Sequence, residues 1–116
     1  MDYGIFFEHF VFLELRAFLD YFEPRMEVGV WRPEKGETEV DFVFGKRWGI
    51  EVKAAERILP RHLDGLRKLR DEGIVRKLVM VCCEPHCRHI EEENIRIYPW
   101  RDFMRELWGR KGWLWE

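Results

Sequence analysis

The sequence predicts an α/β domain with helices packed on a central mixed sheet, in the order α-β-β-β-α-β-β-α. Three observations carry this. A dense apolar run near the N-terminus has helical spacing, and two alternating apolar segments stand three residues apart in the middle. A Pro-opened helical stripe then separates that pair from a buried strand, so the chain must cross over a sheet face. The 116 residues suffice for one domain, residues 1–116, with one modest core.

Residues 3–22 carry Phe6, Phe7, Phe10, Val11, Leu13, Leu15, Phe18, Leu19 and Phe22. That density predicts a helix buried on much of its circumference, ended by Pro24. Residues 27–32 read as a strand, and Pro33 to Gly36 as a turn. Residues 38–44 and 48–54 form a hairpin through Gly45-Lys46-Arg47. Pro60 opens a helix running to Glu72, with Leu63, Leu66 and Leu69 on one stripe and Gly73 as its stop. Residues 77–83 predict a buried strand, 84–93 a polar loop and 95–98 a short last strand. A helix then starts at Pro99, with Phe103, Met104, Leu107 and Trp108 on its apolar side.

Composition excludes several classes. With 47% hydrophobic and 36% charged residues, the chain is neither disordered nor a membrane protein. Met1 precedes Asp2 and Tyr3 with no basic segment, so no secretory signal is expected. Three cysteines, two of them adjacent, argue against a disulfide scaffold and for the cytoplasm. The net charge of -2 does not by itself mark a nucleic-acid binder.

The chemistry concentrates in the hairpin. Alternation puts Val40, Phe42 and Phe44 on one face of the first strand and Asp41 on the other. On the second strand Ile50 and Val52 share a face, while Glu51 and Lys53 point away. Asp41 joins Glu51 and Lys53 if the loop has an odd residue count or one bulge, for which Gly45 and Gly49 offer places. Two carboxylates supply hard oxygen ligands for Mg²⁺ or Mn²⁺, which lowers the pKa of a bound water and neutralises phosphoryl charge. Lys53 orients that water or stabilises the developing negative charge. The plain alternative is a cross-strand salt bridge on a solvated sheet face, and the surrounding element order, that of the PD-(D/E)XK core, tips the reading to the former.

The runs Trp31-Arg32, Gly36-Glu37-Thr38-Glu39-Val40-Asp41-Phe42-Val43 and Ile50-Glu51-Val52-Lys53-Ala54 resemble a C-terminal domain of unknown function in prokaryotic AAA-type ATPases. That family shows a W-R-x-x-x-G-x-E-V-D-F-V run followed by I-E-V-K. Phe7-Glu8-His9-Phe10-Val11-Phe12-Leu13-Glu14-Leu15 is similar to its first helix, and Asp64-Gly65-Leu66-Arg67 to its post-motif helix. The resemblance spans nearly the whole chain and implies the PD-(D/E)XK restriction-endonuclease-like fold. It further implies a metal-dependent nuclease acting on DNA, with RNA as a second substrate class and an AAA-type ATPase as partner. The chain has no P-loop, so it is not itself the ATPase. The alternative is a catalytically silent module of the same fold that binds nucleic acid or docks the ATPase.

The same resemblance implies a further acid from the first helix. Glu8 matches that position, with Asp41 and Glu51, as a metal ligand; Glu14 is a rival, and a first-turn acid favoured by the helix dipole is the alternative for Glu8. The residues after Lys53 are basic; taken alone they read as a solvated helix face, and Arg57 and Arg61 are the pair expected to approach phosphates. Cys82, Cys83, His86, Cys87 and His89 lack the paired spacing of a zinc site. Trp108, Trp113, Leu114 and Trp115 crowd the last nine residues, which suggests a homodimer contact, docking on a partner, or a tail folded back on its own core.

Overall fold

A computed structural model of the chain describes residues 3–31 and 40–116. The turn at 33–36, the end of the first strand at 32 and the start of the second at 38–39 lie outside the described residues. Helix α1 spans Tyr3–Phe22, followed by β1 (Val28–Trp31), β2 (Val40–Phe44) and β3 (Trp48–Val52). A short 3-10 helix, Pro60–Leu63, leads into α2 (Asp64–Glu72). Then come β4 (Lys77–Cys82), β5 (Arg88–Ile90), β6 (Ile95–Pro99), α3 (Trp100–Gly109) and a 3-10 turn at Trp113–Trp115.

Among the described residues the strands form one mixed six-stranded sheet in the order β1-β2-β3-β4-β6-β5. The three-strand meander is antiparallel, the two central pairings are parallel, and β5 returns antiparallel to β6 at the far edge. One face packs Phe7, Val11, Leu15 and Phe18 of α1 with Phe103 and Leu107 of α3 onto Phe42, Phe44, Ile50 and Val52. The other packs Leu66 and Leu69 of α2 onto Leu78, Met80, Ile95 and Ile97. Because β4 is covered on both sides, Leu78 to Cys82 is buried without alternation. Gly49 lets α2 approach closely: a Cβ there would collide with the Leu69 side chain. Gly73 ends α2 at φ +67°, a left-handed cap that glycine adopts freely.

Three expectations need correction. The loop at 84–93 contains β5, so the sheet has one more strand than the order read from sequence. Its three residues pair antiparallel with β6, too few to show a pattern, and Arg88 at its start donates to the buried Glu84 at 2.9 and 3.0 Å. The helix at 60–72 is two elements, a 3-10 turn and α2. Val40 does not share the face of Phe42: it packs on the α2 side with Trp31 and Leu66. Between Gly29↔Val43 and Trp31↔Val40, two steps of β1 oppose three of β2, and this bulge turns Val40 over.

The Trp-rich tail folds back. Trp48 Nε1 donates to the Leu114 carbonyl at 3.1 Å, and Trp115 Nε1 to the Glu106 carbonyl at 2.9 Å. Glu106 also accepts the Tyr98 hydroxyl at 2.8 Å and the Leu114 N–H at 3.1 Å. Trp108 keeps its exposure, while its indole donates to Glu14 at 3.0 Å.

Candidate active site

The hairpin register decides whether the acids meet. Phe44 pairs with Trp48 and Phe42 with Ile50, so Gly45-Lys46-Arg47 is a three-residue loop, with Gly45 at φ +53°. An odd loop keeps parity, and continuing the register by one step sets Asp41 opposite Glu51. The strand pairing ends at Phe42↔Ile50; beyond it the Val52 N–H donates to Asp41 Oδ2 at 2.9 Å. That bond fixes the Asp41 side chain against the end of β3.

Asp41 and Glu51 hydrogen-bond to each other, which requires a proton between two carboxyls. Burial pushes the Glu51 carboxyl up to about 10, helped by the bond to Asp41, by the Asp41 charge and then by Glu8, while Lys53 works in the opposite direction. Glu51 therefore carries a proton at neutral pH. The causes also locate the neighbours: Glu8 on α1 and Lys53 just past β3 both lie within electrostatic reach of this pair. Glu8 itself is exposed and lines a small cavity of about 260 Å³ with Ile5, His9, Phe12 and Phe42. Lys53 is exposed, and its backbone N–H extends the pairing with β4 by donating to the Val81 carbonyl at 2.9 Å.

The structure thus brings Asp41 and Glu51 into contact, with Lys53 and Glu8 around them. The rival acid Glu14 is elsewhere, taken by the Trp108 indole. Arg57 lines a separate cavity of about 670 Å³ with Glu84 and Arg88, where its charge acts on Glu84. Arg61 is exposed at the start of the 3-10 helix, with its charge acting on His62. His62 is the neighbour that the sequence did not single out. Its Nδ1 accepts the Leu59 N–H at 3.0 Å, which leaves the ring proton on Nε2. Burial, then Lys53 and Arg61, hold it below the ordinary histidine range, so it is neutral at pH 7 and stands near Lys53. Its signal in sequence is slight: a histidine two residues after the proline that follows the motif.

The donor set suits a divalent cation of the Mg²⁺ type, which takes one or two carboxylates and completes its shell with water and phosphate oxygens. Two hard-oxygen groups already stand together, held by a single proton where a cation would supply more charge. Among the described residues, no three His, Cys, Asp or Glu side chains stand close enough to hold a metal as placed. Cys82 is buried at the end of β4, where burial pushes its thiol up to about 12. It behaves as a small core side chain. Among the described residues, no helix is long and apolar enough to cross a membrane.

A family model described as a domain of unknown function, DUF4143, matches residues 3–103. The match takes in α1, the whole sheet and the first turn of α3, and the chain belongs to that family. No curated protein and no solved structure matches the chain.

Proposed function

We propose that this DUF4143 domain is a metal-dependent nuclease of the PD-(D/E)XK type that hydrolyses phosphodiester bonds in DNA. The observation that carries the reading is the Asp41–Glu51 pair sharing a proton at the end of a hairpin, beside Lys53. A structural salt bridge would pair unlike charges. Here two like groups are pressed together at a cost, an arrangement that makes sense where a cation binds. The order of elements around the hairpin, α1, three strands, α2 and β4, is that of the PD-(D/E)XK core and supports the fold reading.

Asp41 and Glu51 would hold Mg²⁺ or Mn²⁺, with Glu8 completing the site from α1. When bound, the ion supplies Lewis-acid charge and a water of lowered pKa. Loading the site requires Glu51 to release its proton, so the pair couples ion binding to deprotonation. Asp41 is held for this by the Val52 N–H. Lys53 orients the attacking water or balances charge on the phosphoryl oxygens. His62, neutral with its proton on Nε2, adds a donor beside it. Arg61 supplies positive charge at the rim, while Arg57, which lines the separate cavity with Glu84, serves a more distant part of the substrate. An AAA-type ATPase is the protein partner that the sequence resemblance supports.

The test is incubation of the full chain with single-stranded, duplex and branched DNA, and with RNA, in Mg²⁺ or Mn²⁺. Cleavage should vanish in Asp41→Ala and in Lys53→Ala. Cleavage that survives either change would contradict the assignment, and salt-sensitive binding without cleavage would mark a silent module.

A further inference from the structure

Helix α1 is apolar on two sides. One side, Phe7, Val11, Leu15 and Phe18, is spent on the sheet. The other carries Tyr3, Phe6, Phe10, Leu13 and Ala17 at alternating spacings of three and four, with Tyr21 one turn further. That is the seam spacing of a helix that packs on another helix. Tyr3, Phe6, Phe10, Leu13 and Tyr21 remain 67%, 55%, 39%, 52% and 77% exposed. A run of large apolar groups along a whole helix is unlike the scattered single exposures normal on protein surfaces.

We infer that this face of α1 is a homodimer interface, in which α1 packs antiparallel on α1 of a second copy about a two-fold axis. Three features select a second copy as the occupant. The first is shape. An apolar groove of about 390 Å³ opens between Tyr3, Phe6, Phe10 and Trp100 at the N-terminal end of α1. Tyr21, the most exposed ring of the stripe, stands at the C-terminal end. A two-fold antiparallel contact along this seam sets residue 3 of one copy level with residue 20 of the other, one position from Tyr21, so each Tyr21 reaches the mouth of the other's groove at once.

The second feature is size matching along the seam. The same axis places Phe6 opposite the small Ala17 and Phe10 opposite Leu13, so large meets small at the ends and two mid-sized groups meet at the centre. The third is area. The exposed portions of the five large side chains amount to about three whole side chains, or about 550 Å² per copy at roughly 190 Å² each. Doubled by symmetry and with these groups fully covered, this is about 1,100 Å², comparable with the ~1,000 Å² that separates specific interfaces from casual contacts. The acids that flank the seam are engaged within their own copy: Asp20 pairs with Arg16 at 3.2 Å and Glu14 accepts the Trp108 indole at 3.0 Å.

The experiment is sedimentation equilibrium with light scattering on the full chain, from about 1 to about 200 µM, for wild type and three variants. Wild type should show a concentration-dependent dimer. Leu13→Glu should raise the dissociation constant by about 100-fold or more, because it buries a charge at the centre of the seam. Leu13→Ala and Tyr21→Ser should each raise it by about tenfold. Far-UV circular dichroism checks that each variant is folded, and the two mild changes keep the test decisive if Leu13→Glu unfolds. A chain that stays monomeric throughout would overturn the inference and give the face to a partner of another sequence. A dimer indifferent to all three changes would overturn it as well.

Discussion

Replacing Glu51 with glutamine isolates the proton that the Asp41–Glu51 pair must carry. Glutamine matches protonated glutamate in shape and still donates to Asp41, but it never has to hold a proton. In the wild type the folded carboxyl titrates at about 10, against an ordinary 4.5. The folded value is raised, so this group's contribution is fully present below pH 4.5 and is lost as pH rises towards 10. At pH 7 the unfolded chain has released the proton and the folded chain has not. Each pH unit of that difference is worth about 1.4 kcal/mol, so the wild type gives up at most about 3 kcal/mol at pH 7 and about 5 kcal/mol at pH 8. Against a total stability of about 5–15 kcal/mol this is large. Urea denaturation of both proteins in chelator, from pH 5 to pH 8, measures it. Other titrations are common to the two proteins and cancel in the difference. Glu51→Gln should gain on the wild type steadily with pH, by up to about 4 kcal/mol over that interval. A difference that stays flat would show that Glu51 ionises without penalty, and the contact between the two carboxyls would be wrong.

Other perturbations follow from the framework. Arg88→Ala strips the buried Glu84 of two N–H donors and leaves it the Ile58 N–H; because Arg88 is half exposed, the loss should be about 2 kcal/mol by urea at pH 7. Arg88 also holds the Glu84 carboxyl below its usual range, so the wild type loses this contribution as pH falls below about 4.5, and the variant's acid limb should be flatter. Gly49→Ala forces the end of the Leu69 side chain aside and should cost about 1–2 kcal/mol in the same assay. Glu106→Ala orphans the buried Tyr98 hydroxyl and the Leu114 N–H; it should cost about 2 kcal/mol and shift tryptophan emission to the red as the tail loosens.

The parts of this fold that the sequence reveals are those where one local rule acts alone. Helix α1 occupies 3–22 because its apolar density and Pro24 agree, and the Gly45-Lys46-Arg47 loop is legible from the strands on either side. The loop's odd length was enough to foresee Asp41 facing Glu51. What stayed hidden depends on partners distant in sequence. The bulge that turns Val40 over arises from pairing with β1, and no residue of β2 announces it. Strand β5 forms by pairing with β6, and its start is tied by Arg88 to Glu84 and the backbone carbonyl of Ile58, a tie of no periodic signature. At the site, the residue types were readable, but the protonation of Glu51 and the nearness of His62 to Lys53 come from burial and the path of the chain after β3. In sequence the tail is open between an interface and a return to the core, and Glu106 decides it by accepting two hydrogen bonds on its carboxylate.

Calorimetric titration of the full chain with Mn²⁺ tests most directly whether Asp41 and Glu51 form a cation site. The wild type should bind one ion per chain and release about one proton as Glu51 deprotonates, seen as a heat that varies with the ionisation enthalpy of the buffer. Asp41→Ala should abolish both the binding and the proton release. Binding of equal strength in Asp41→Ala, or no binding by the wild type at any pH from 6 to about 9, would contradict the site.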